Sequence, residues 1–374
     1  MAGIIPADFL LLSILLLSVH LGVPLVYYLY LKARWYRMPW NIKIDETYVP
    51  TVSIITPTRN ESQFIEKRLE NIYEQEYARE LIEVIVVDSA SNDGTVGIVR
   101  DWSRRHSRVR VVMVEERARE GKMAAVSKAL KCAAGAVVMI GDADSVWALN
   151  AIRNSVKYFA DPSVGALTAS LRYSTGEGKD VENTYRDFYN VLRVAESKMC
   201  STPVHSGVLL AIRKEFLEGF KLPSYAGAED CAVGSYAAFV GYRAVQADDV
   251  WAYEPLRGSY LGTKIRRAQH NILNFLLTKG YAKRQGGYLK SSFDTIWDFE
   301  RYLYLVNPFL LLSSLVLMLY CAAVLGQIAA VMLLGAGGFL LLMSGTFRMW
   351  VLQQFYIIVA ATRCIWTRET VWSK

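Results

Sequence analysis

The chain has 374 residues, 53% of them hydrophobic, and carries 42 Lys and Arg against 35 Asp and Glu for a net charge of +7. Five scattered cysteines and four scattered histidines lack ligand spacing, which excludes a disulfide framework and a zinc site and fits a reducing compartment. The basic surplus comes with no nucleic-acid reader motif, so nucleic acid is excluded as a partner and attraction to anionic membrane lipid explains the charge.

The first element is Phe9 to Leu31, 23 residues without a formal charge. That is long enough to cross a bilayer at ~20 residues per crossing. It is too long for a signal peptide and lacks a small-residue cleavage site behind it. Lys32, Arg34, Arg37 and Lys43 follow it and only Asp8 precedes it, so the positive-inside rule places the next segment in the cytoplasm. Residues 1–31 are therefore expected to be a membrane helix and 32–255 a cytoplasmic domain.

Within that domain, strand-like and helical runs alternate. "VSIITPT" precedes a helix over Glu61–Gln75, "IEVIVVDSAS" one over Asp93–Arg105, "VRVVMVEE" one over Lys122–Cys132, and "AVVMIGDAD" one over Trp147–Phe159. The strands are too apolar to have a wet face, which predicts an α/β fold: a mostly parallel sheet with helices on both faces. Ligands of such sheets lie at the carboxyl ends of the strands. Thr58 to Glu61, Asp88 and Asp93, and Asp142 and Asp144 all fall there.

Residues 256–301 are expected to form amphipathic helices at the membrane interface. Tyr302 to Phe347 is then 46 uncharged residues broken at "LGQ", enough for two crossings. Lys290, Arg301, Arg348, Arg363 and Arg368 put both outer flanks of this pair on the cytoplasmic side. Met349 to Thr362 is only 14 uncharged residues and contains Gln353 and Gln354, which suits a helix lying in the interface within the final segment 348–374. The expected location is thus a multi-pass protein of the cell membrane.

The acids of "DAD", Asp142 and Asp144, close an apolar strand. Two neighbouring carboxylates repel, and a divalent cation such as Mg²⁺ or Mn²⁺ relieves that repulsion while keeping positions for phosphate oxygens. The same acids also suit a solvated turn that caps the next helix. Asp230, at the start of an apolar helix, suits either a general base or an acid favoured by the helix dipole.

"TPTRNE" (Thr56 to Glu61), "VVDSASNDGT" (Val86 to Thr95), "GKMAA" (Gly121 to Ala125), "DAD", "SGVLLAIRKE" (Ser206 to Glu215) and "GAED" (Gly227 to Asp230) occur in the order and spacing of family 2 glycosyltransferases, which the chain resembles. The resemblance covers about half the chain and implies a GT-A fold. The flanking apolar segments look like a reduced cellulose synthase layout.

The resemblance implies a role for each motif. Pro57, Arg59, Glu61 and Asp88 would hold the nucleoside, Lys122 the diphosphate, Asp142 the ribose or the metal, and Asp144 the metal. Asp230 would be the catalytic base, with Glu229 beside it, and His205, Ser206 and Gly207 would line the acceptor. Processive members carry Q-x-x-R-W after the catalytic domain, whereas this chain reads "IRRAQHN" there, without tryptophan. Arg266 and Arg267 suit a diphosphate clamp or membrane attachment equally. The expected activity is inverting, metal-dependent transfer of a single sugar from a nucleotide-sugar to a lipid-linked (polyprenyl or dolichyl) glycan. GDP-mannose is the first choice of donor and a UDP-sugar the next. A polyprenyl-phosphate sugar synthase, a processive polysaccharide synthase and an inactive scaffold are the alternatives.

Overall fold

The computed structural model describes residues 6–173, 179–218, 223, 229–254 and 260–367. Helix α1 (Pro6–Leu31) is the apolar N-terminal segment, extended to Tyr36 by a wider π-helical turn. The alternating region forms β1 (Val52–Thr58), α2 (Ile65–Tyr73), β2 (Ile82–Asp88), α3 (Thr95–Arg105), β3 (Arg110–Glu115), α4 (Lys122–Cys132) and β4 (Val137–Ile140). These four strands are parallel, in the order β3-β2-β1-β4. Thr58 pairs with Asp88 and Asp88 with Glu115, so the polar strand ends form a row along one edge.

Successive strand residues point to opposite faces, and here both faces are covered. Ile54, Val84 and Val86 pack with Leu69, Ile72 and Trp102 of α2 and α3, while Ile55, Ile85 and Val87 pack with Ala125 and Ala129 of α4. Two-sided burial is why these strands read as unbroken apolar runs.

Beyond β4 the chain adds β5 (Val146–Trp147), α5 (Ala151–Val156), β6 (Val164–Tyr173), α6 (Lys179–Met199), β7 (Leu210–Arg213), α7 (Lys214–Glu218), α8 (Glu229–Phe239) and β8 (Arg243–Glu254). The eight-stranded order is β3-β2-β1-β4-β7-β6-β8-β5, with β7 antiparallel to both its neighbours and β8 parallel to β6. The sheet is therefore mostly parallel, with reversals at β7 and at the edge strand β5, which runs antiparallel to β8.

Two helices differ from the sequence expectation. The helix expected over Trp147–Phe159 is confined to Ala151–Val156 and a 3-10 turn to Ala160. Trp147 is held in β5 instead, its backbone N–H donating to Asn71 Oδ1 (2.8 Å) and its indole N–H to the Val208 carbonyl (2.7 Å). The helix expected from Glu61 starts at Ile65. Glu61 and Ser62 donate their backbone N–H groups to Thr95 Oγ1 and Asp93 Oδ2 across the loop, which commits them to a turn.

The rest of the chain is helical: α9 (Tyr260–Arg284), α10 (Phe293–Leu305), α11 (Asn307–Ala323), α12 (Ile328–Met343) and α13 (Gly345–Trp366). Among the described residues two stretches, Asp8–Tyr36 and Phe293–Ala323, are long and apolar enough to cross a membrane. Helices α12 and α13, bent by 111° at their junction, make a third if the pair is one span. The second stretch begins before Tyr302, inside the segment expected to be interfacial. The "LGQ" break separates α11 from α12, with Gly326 at φ +62°. Helices α1 and α11 join through reciprocal bonds, Ser13 Oγ to the Ser314 carbonyl and Ser314 Oγ to the Ser13 carbonyl, both 2.8 Å. Such pairs satisfy hydroxyls between apolar helices. Leu11, Val26, Met332 and Leu342 face outward, an apolar surface of a kind that soluble proteins avoid.

Candidate active site

The carboxyl ends of β1 and β2 carry two tight loops. Asn60 (φ 52°) and Ala90 (φ 54°) adopt the left-handed conformation that non-glycine residues rarely take. Cross-loop bonds hold them: Asn60 N–H donates to Ser91 Oγ (2.8 Å), Asn92 N–H to Asn60 Oδ1 (3.1 Å), and Arg59 to the Ala90 carbonyl (2.7 Å) and the Ser89 carbonyl. Strain of this sort persists only where the surroundings fix it, and it gathers at functional sites. Asp88 is buried at the base of the loops. One of its oxygens accepts from Thr58 Oγ1 (3.0 Å) and Ser91 Oγ (2.6 Å), the other from Ser91 N–H (2.8 Å). Pro57 is half-buried in β1 beside them, and Glu61 is buried.

The second part of the candidate site lies one strand over, beyond β4. Lys122, the first residue of α4, donates from Nζ to Asp142 Oδ1 at 2.8 Å, with both side chains largely shielded. Asp230 stands in the first turn of α8, its Oδ1 accepting from the Cys231 N–H at 2.8 Å. Gly207 brings these groups together. A β-carbon on it would lie 3.2 Å from Lys122 Nζ, 3.5 Å from Asp230 Oδ2 and 3.8 Å from Asp142 Oδ2. One ammonium and two carboxylates thus border one small space that a glycine keeps open. Asp144 follows in the same turn and is half-buried. Asp142 and Asp144 supply hard oxygen donors of the kind Mg²⁺ and Mn²⁺ take. No cluster of three or more acids, histidines or cysteines that could hold a metal exists among the described residues.

Arg68 was not foreseen. It is buried under the turn: NH1 donates to Asn71 Oδ1 (3.4 Å) and the Ser145 carbonyl (3.5 Å), and the guanidinium stacks 3.8 Å from the Trp147 ring centroid. Burial pushes it down to about 9 against the opposing pull of Asp142 and Asp144. Its position in sequence held the clue. Ile65, Arg68, Leu69 and Ile72 form one i, i+3, i+4, i+7 stripe, so Arg68 occupies the buried face of α2.

The remaining expected residues are placed as follows. Arg267 grips Glu254 at the end of β8 with both nitrogens, and that carboxylate is held down to about 2, since Arg267 and Arg186 outweigh its burial. Arg266 is half-buried in the same helix turn. His205 is buried against Gly234, and neither ring nitrogen has a hydrogen-bond partner among the described residues. Burial first, and the Arg193 charge second, push its imidazole down to about 3, so the ring is neutral at pH 7. Ser206 N–H donates to Thr168 Oγ1 (3.1 Å), which fixes the strand approach to Gly207. Glu229 opens α8, and its side chain lies outside the described residues.

Fixed loops at the ends of β1 and β2, a paired-acid turn after β4 and a carboxylate across Gly207 make up the candidate site of a group-transfer enzyme. The sequence profile of Glycosyl transferase family 2 matches residues 53–220, and the chain belongs to that family. It is 40% identical to the mannosyltransferase PcManGT of Pyrobaculum calidifontis, solved in complex with GDP-Man and Mn²⁺, over 96% of this chain and 99% of that one, with a TM-score of 0.86. It is 26% identical over 235 residues to the glycosyltransferase AglE of Haloferax volcanii, covering 62% of this chain and 76% of AglE. A shorter match of 56 residues at 38% identity, 15% of this chain and 17% of the relative, is to the dolichyl N-acetyl-alpha-D-glucosaminyl phosphate 3-beta-D-2,3-diacetamido-2,3-dideoxy-beta-D-glucuronosyltransferase of Methanococcus voltae.

Proposed function

We propose that this glycosyltransferase moves mannose from GDP-mannose, with inversion, to a lipid-linked glycan at the cytoplasmic face of the membrane, using Mg²⁺ or Mn²⁺. The observation that carries the proposal is the meeting of Asp230 Oδ2, Lys122 Nζ and Asp142 Oδ2 around Gly207. The donor is chosen because PcManGT, alike over nearly its whole length, binds GDP-Man. The acceptor class rests on the dolichyl-linked relative and on the apolar helices.

In this reading the acceptor hydroxyl attacks the anomeric carbon while its proton passes to Asp230 Oδ2. The bond from that carbon to the diphosphate breaks on the opposite face, which inverts the configuration and releases GDP. Asp142 and Asp144 would hold the divalent cation, which when bound offsets the charge of the leaving diphosphate. Lys122 adds a compact positive charge at the same place. Asp88 and its fixed loops seat the nucleoside, Pro57, Arg59 and Glu61 among them.

A donor screen with purified protein in detergent and Mn²⁺ tests the reading. Release of nucleoside diphosphate should be fastest from GDP-mannose. Faster turnover of UDP-glucose or UDP-N-acetylglucosamine would replace the donor, and no turnover of any nucleotide-sugar would sink the enzymatic reading.

A further inference from the structure

Two separate pieces of chain frame the space at Gly207: the segment 203–207 that leads into β7, and the first turn of α8 that carries Asp230. His205 and Cys231 are 26 residues apart in the chain, so the register of the two pieces depends on bonds between them. Cys231, buried directly after Asp230, makes such bonds. The His205 N–H donates to its Sγ at 3.4 Å, and its thiol reaches the His205 carbonyl at 3.3 Å. One turn further along α8, Ser235 Oγ donates to the Pro203 carbonyl at 3.0 Å. Gly234 lies between them, and a β-carbon there would overlap the His205 ring. Positions 231, 234 and 235 share one face of the helix by their i, i+3, i+4 spacing. That face carries the segment on its way to Gly207.

The same thiol is tied outward. Cys231 Sγ lies 3.4 Å from Asn271 Oδ1 on α9, and Asn271 Nδ2 donates to Tyr304 Oη at 3.1 Å. Tyr304 belongs to α10, the first part of the apolar stretch Phe293–Ala323. A thiol has a single proton, so it serves the His205 carbonyl or Asn271 at any moment while the sulfur accepts the His205 N–H. Base-bearing helix, Gly207 segment and α10 therefore meet at one sulfur atom and one carboxamide.

We infer that Cys231 and Asn271 are positioning residues for the proposed base: through the thiol they set Asp230 against Gly207 and fasten both to α10. The inference rests on the role of Asp230 as base and adds how its place is fixed. Asp230 Oδ1 accepts the Cys231 N–H at 2.8 Å, while Oδ2 is the oxygen that faces Gly207. The Gly207 segment is held to the sheet through the Ser206 N–H on Thr168 Oγ1. Any slip of α8 along that segment moves the carboxylate relative to the space where the sugar must sit, and a misplacement of about 1 Å can lower a rate about 10²-fold. Asp88, Lys122 and Asp142 stand on or beside β2, α4 and β4, so nucleotide binding does not depend on this link. A buried polar network rigidifies only while its members are paired, which makes loss of Asn271 as damaging as loss of the thiol.

Cys231→Ala, Cys231→Ser and Asn271→Leu, made in the full-length protein in detergent and compared with Asp230→Asn, test this. Turnover is GDP release from GDP-mannose in Mn²⁺, and the stoichiometry of calorimetric GDP binding counts the competent sites. Cys231→Ala and Asn271→Leu should lower kcat per competent site by about 10- to 10²-fold, with KM for GDP-mannose and GDP affinity within about twofold of wild type. Cys231→Ser, which keeps a donor and an acceptor, should restore most of the rate. Hydrogen exchange over residues 203–209, read by mass spectrometry, should quicken in Cys231→Ala and stay slow in Cys231→Ser. A merely structural role would lower the melting temperature and the number of competent sites while leaving kcat per site unchanged, and that result would overturn the inference. So would a serine variant as slow as the alanine one. Wild-type turnover by Asp230→Asn, or none by the wild type, would sink the proposed function instead, whereas unchanged exchange in Cys231→Ala would sink the link by itself.

Discussion

Replacing Asp230 with asparagine separates the proposed role of base from the residue's bond to the start of α8. Asp230 Oδ1 already accepts the Cys231 N–H at 2.8 Å. An asparagine must keep its oxygen there, since its amide nitrogen cannot accept that bond, and the nitrogen then takes the place of Oδ2 facing Gly207. The acceptor hydroxyl would meet a donor that cannot take its proton. Loss of a general base costs about 10² to 10⁴ in kcat, or about 3–5 kcal/mol of barrier. The fold should hardly notice, because the bond to Cys231 survives and a charge near a helix N-terminus is worth only ~0.3–1 kcal/mol. Nucleotide affinity should also persist, as Asp88, Lys122 and Asp142 are untouched. Steady-state transfer to a lipid-linked acceptor, with GDP binding by calorimetry and a melting curve, reads all three quantities. A variant that kept more than about a tenth of wild-type turnover would be incompatible with the loss expected of a base.

Gly207→Ala should fold normally yet lose about 10²-fold in kcat/KM, since its β-carbon, 3.2 Å from Lys122 Nζ, enters the space where the sugar must sit; unchanged kinetics would place that space elsewhere. Asp144→Ala should weaken GDP binding in Mn²⁺ by about tenfold or more while leaving binding in EDTA unchanged, as calorimetry would show. His205, neutral when folded and held down to about 3, binds a proton in the unfolded chain first. Its contribution is therefore lost as pH falls below about 6.5, reaching about 2 kcal/mol by pH 5, and His205→Gln should flatten the fall in melting temperature over that range. Arg68→Met removes a buried cation beside Asp142 and Asp144. The melting temperature should drop while Mn²⁺ binding without nucleotide tightens; weaker Mn²⁺ binding would mean that Arg68 merely supports the turn.

How much of this was legible depended on whether a residue's partners are near in sequence. Strands β1, β2 and β4 were legible because burial on both faces leaves no polar residue to interrupt them. Asp88, Asp142 and Asp144 were legible because polarity begins abruptly where each strand ends. Arg68 was missed because "EKRLEN" looks like a solvated face until the stripe through Ile65, Leu69 and Ile72 is drawn. The short β5 in place of a helix was missed because its cause, the Asn71 side chain, lies 76 residues away.

The reversal at β7 explains why the site could be named from motifs but not built from them. Ile140, the last residue of β4, pairs antiparallel with Leu210, the first of β7. The loop that enters β7 must therefore lie at the same edge as the loop that leaves β4. A parallel β7 would have carried its entering loop to the opposite edge, some four residues or about 13 Å away at the usual rise per strand residue. Antiparallel pairing sets Gly207 against Asp142 and Lys122, and the bond from Ser206 N–H to Thr168 on β6 fixes its approach. Asp230 then needs only the start of α8 beneath that glycine to complete the space. Antiparallel β7 is thus what brings the strand-end turn at Asp142 into one small space with the proposed base.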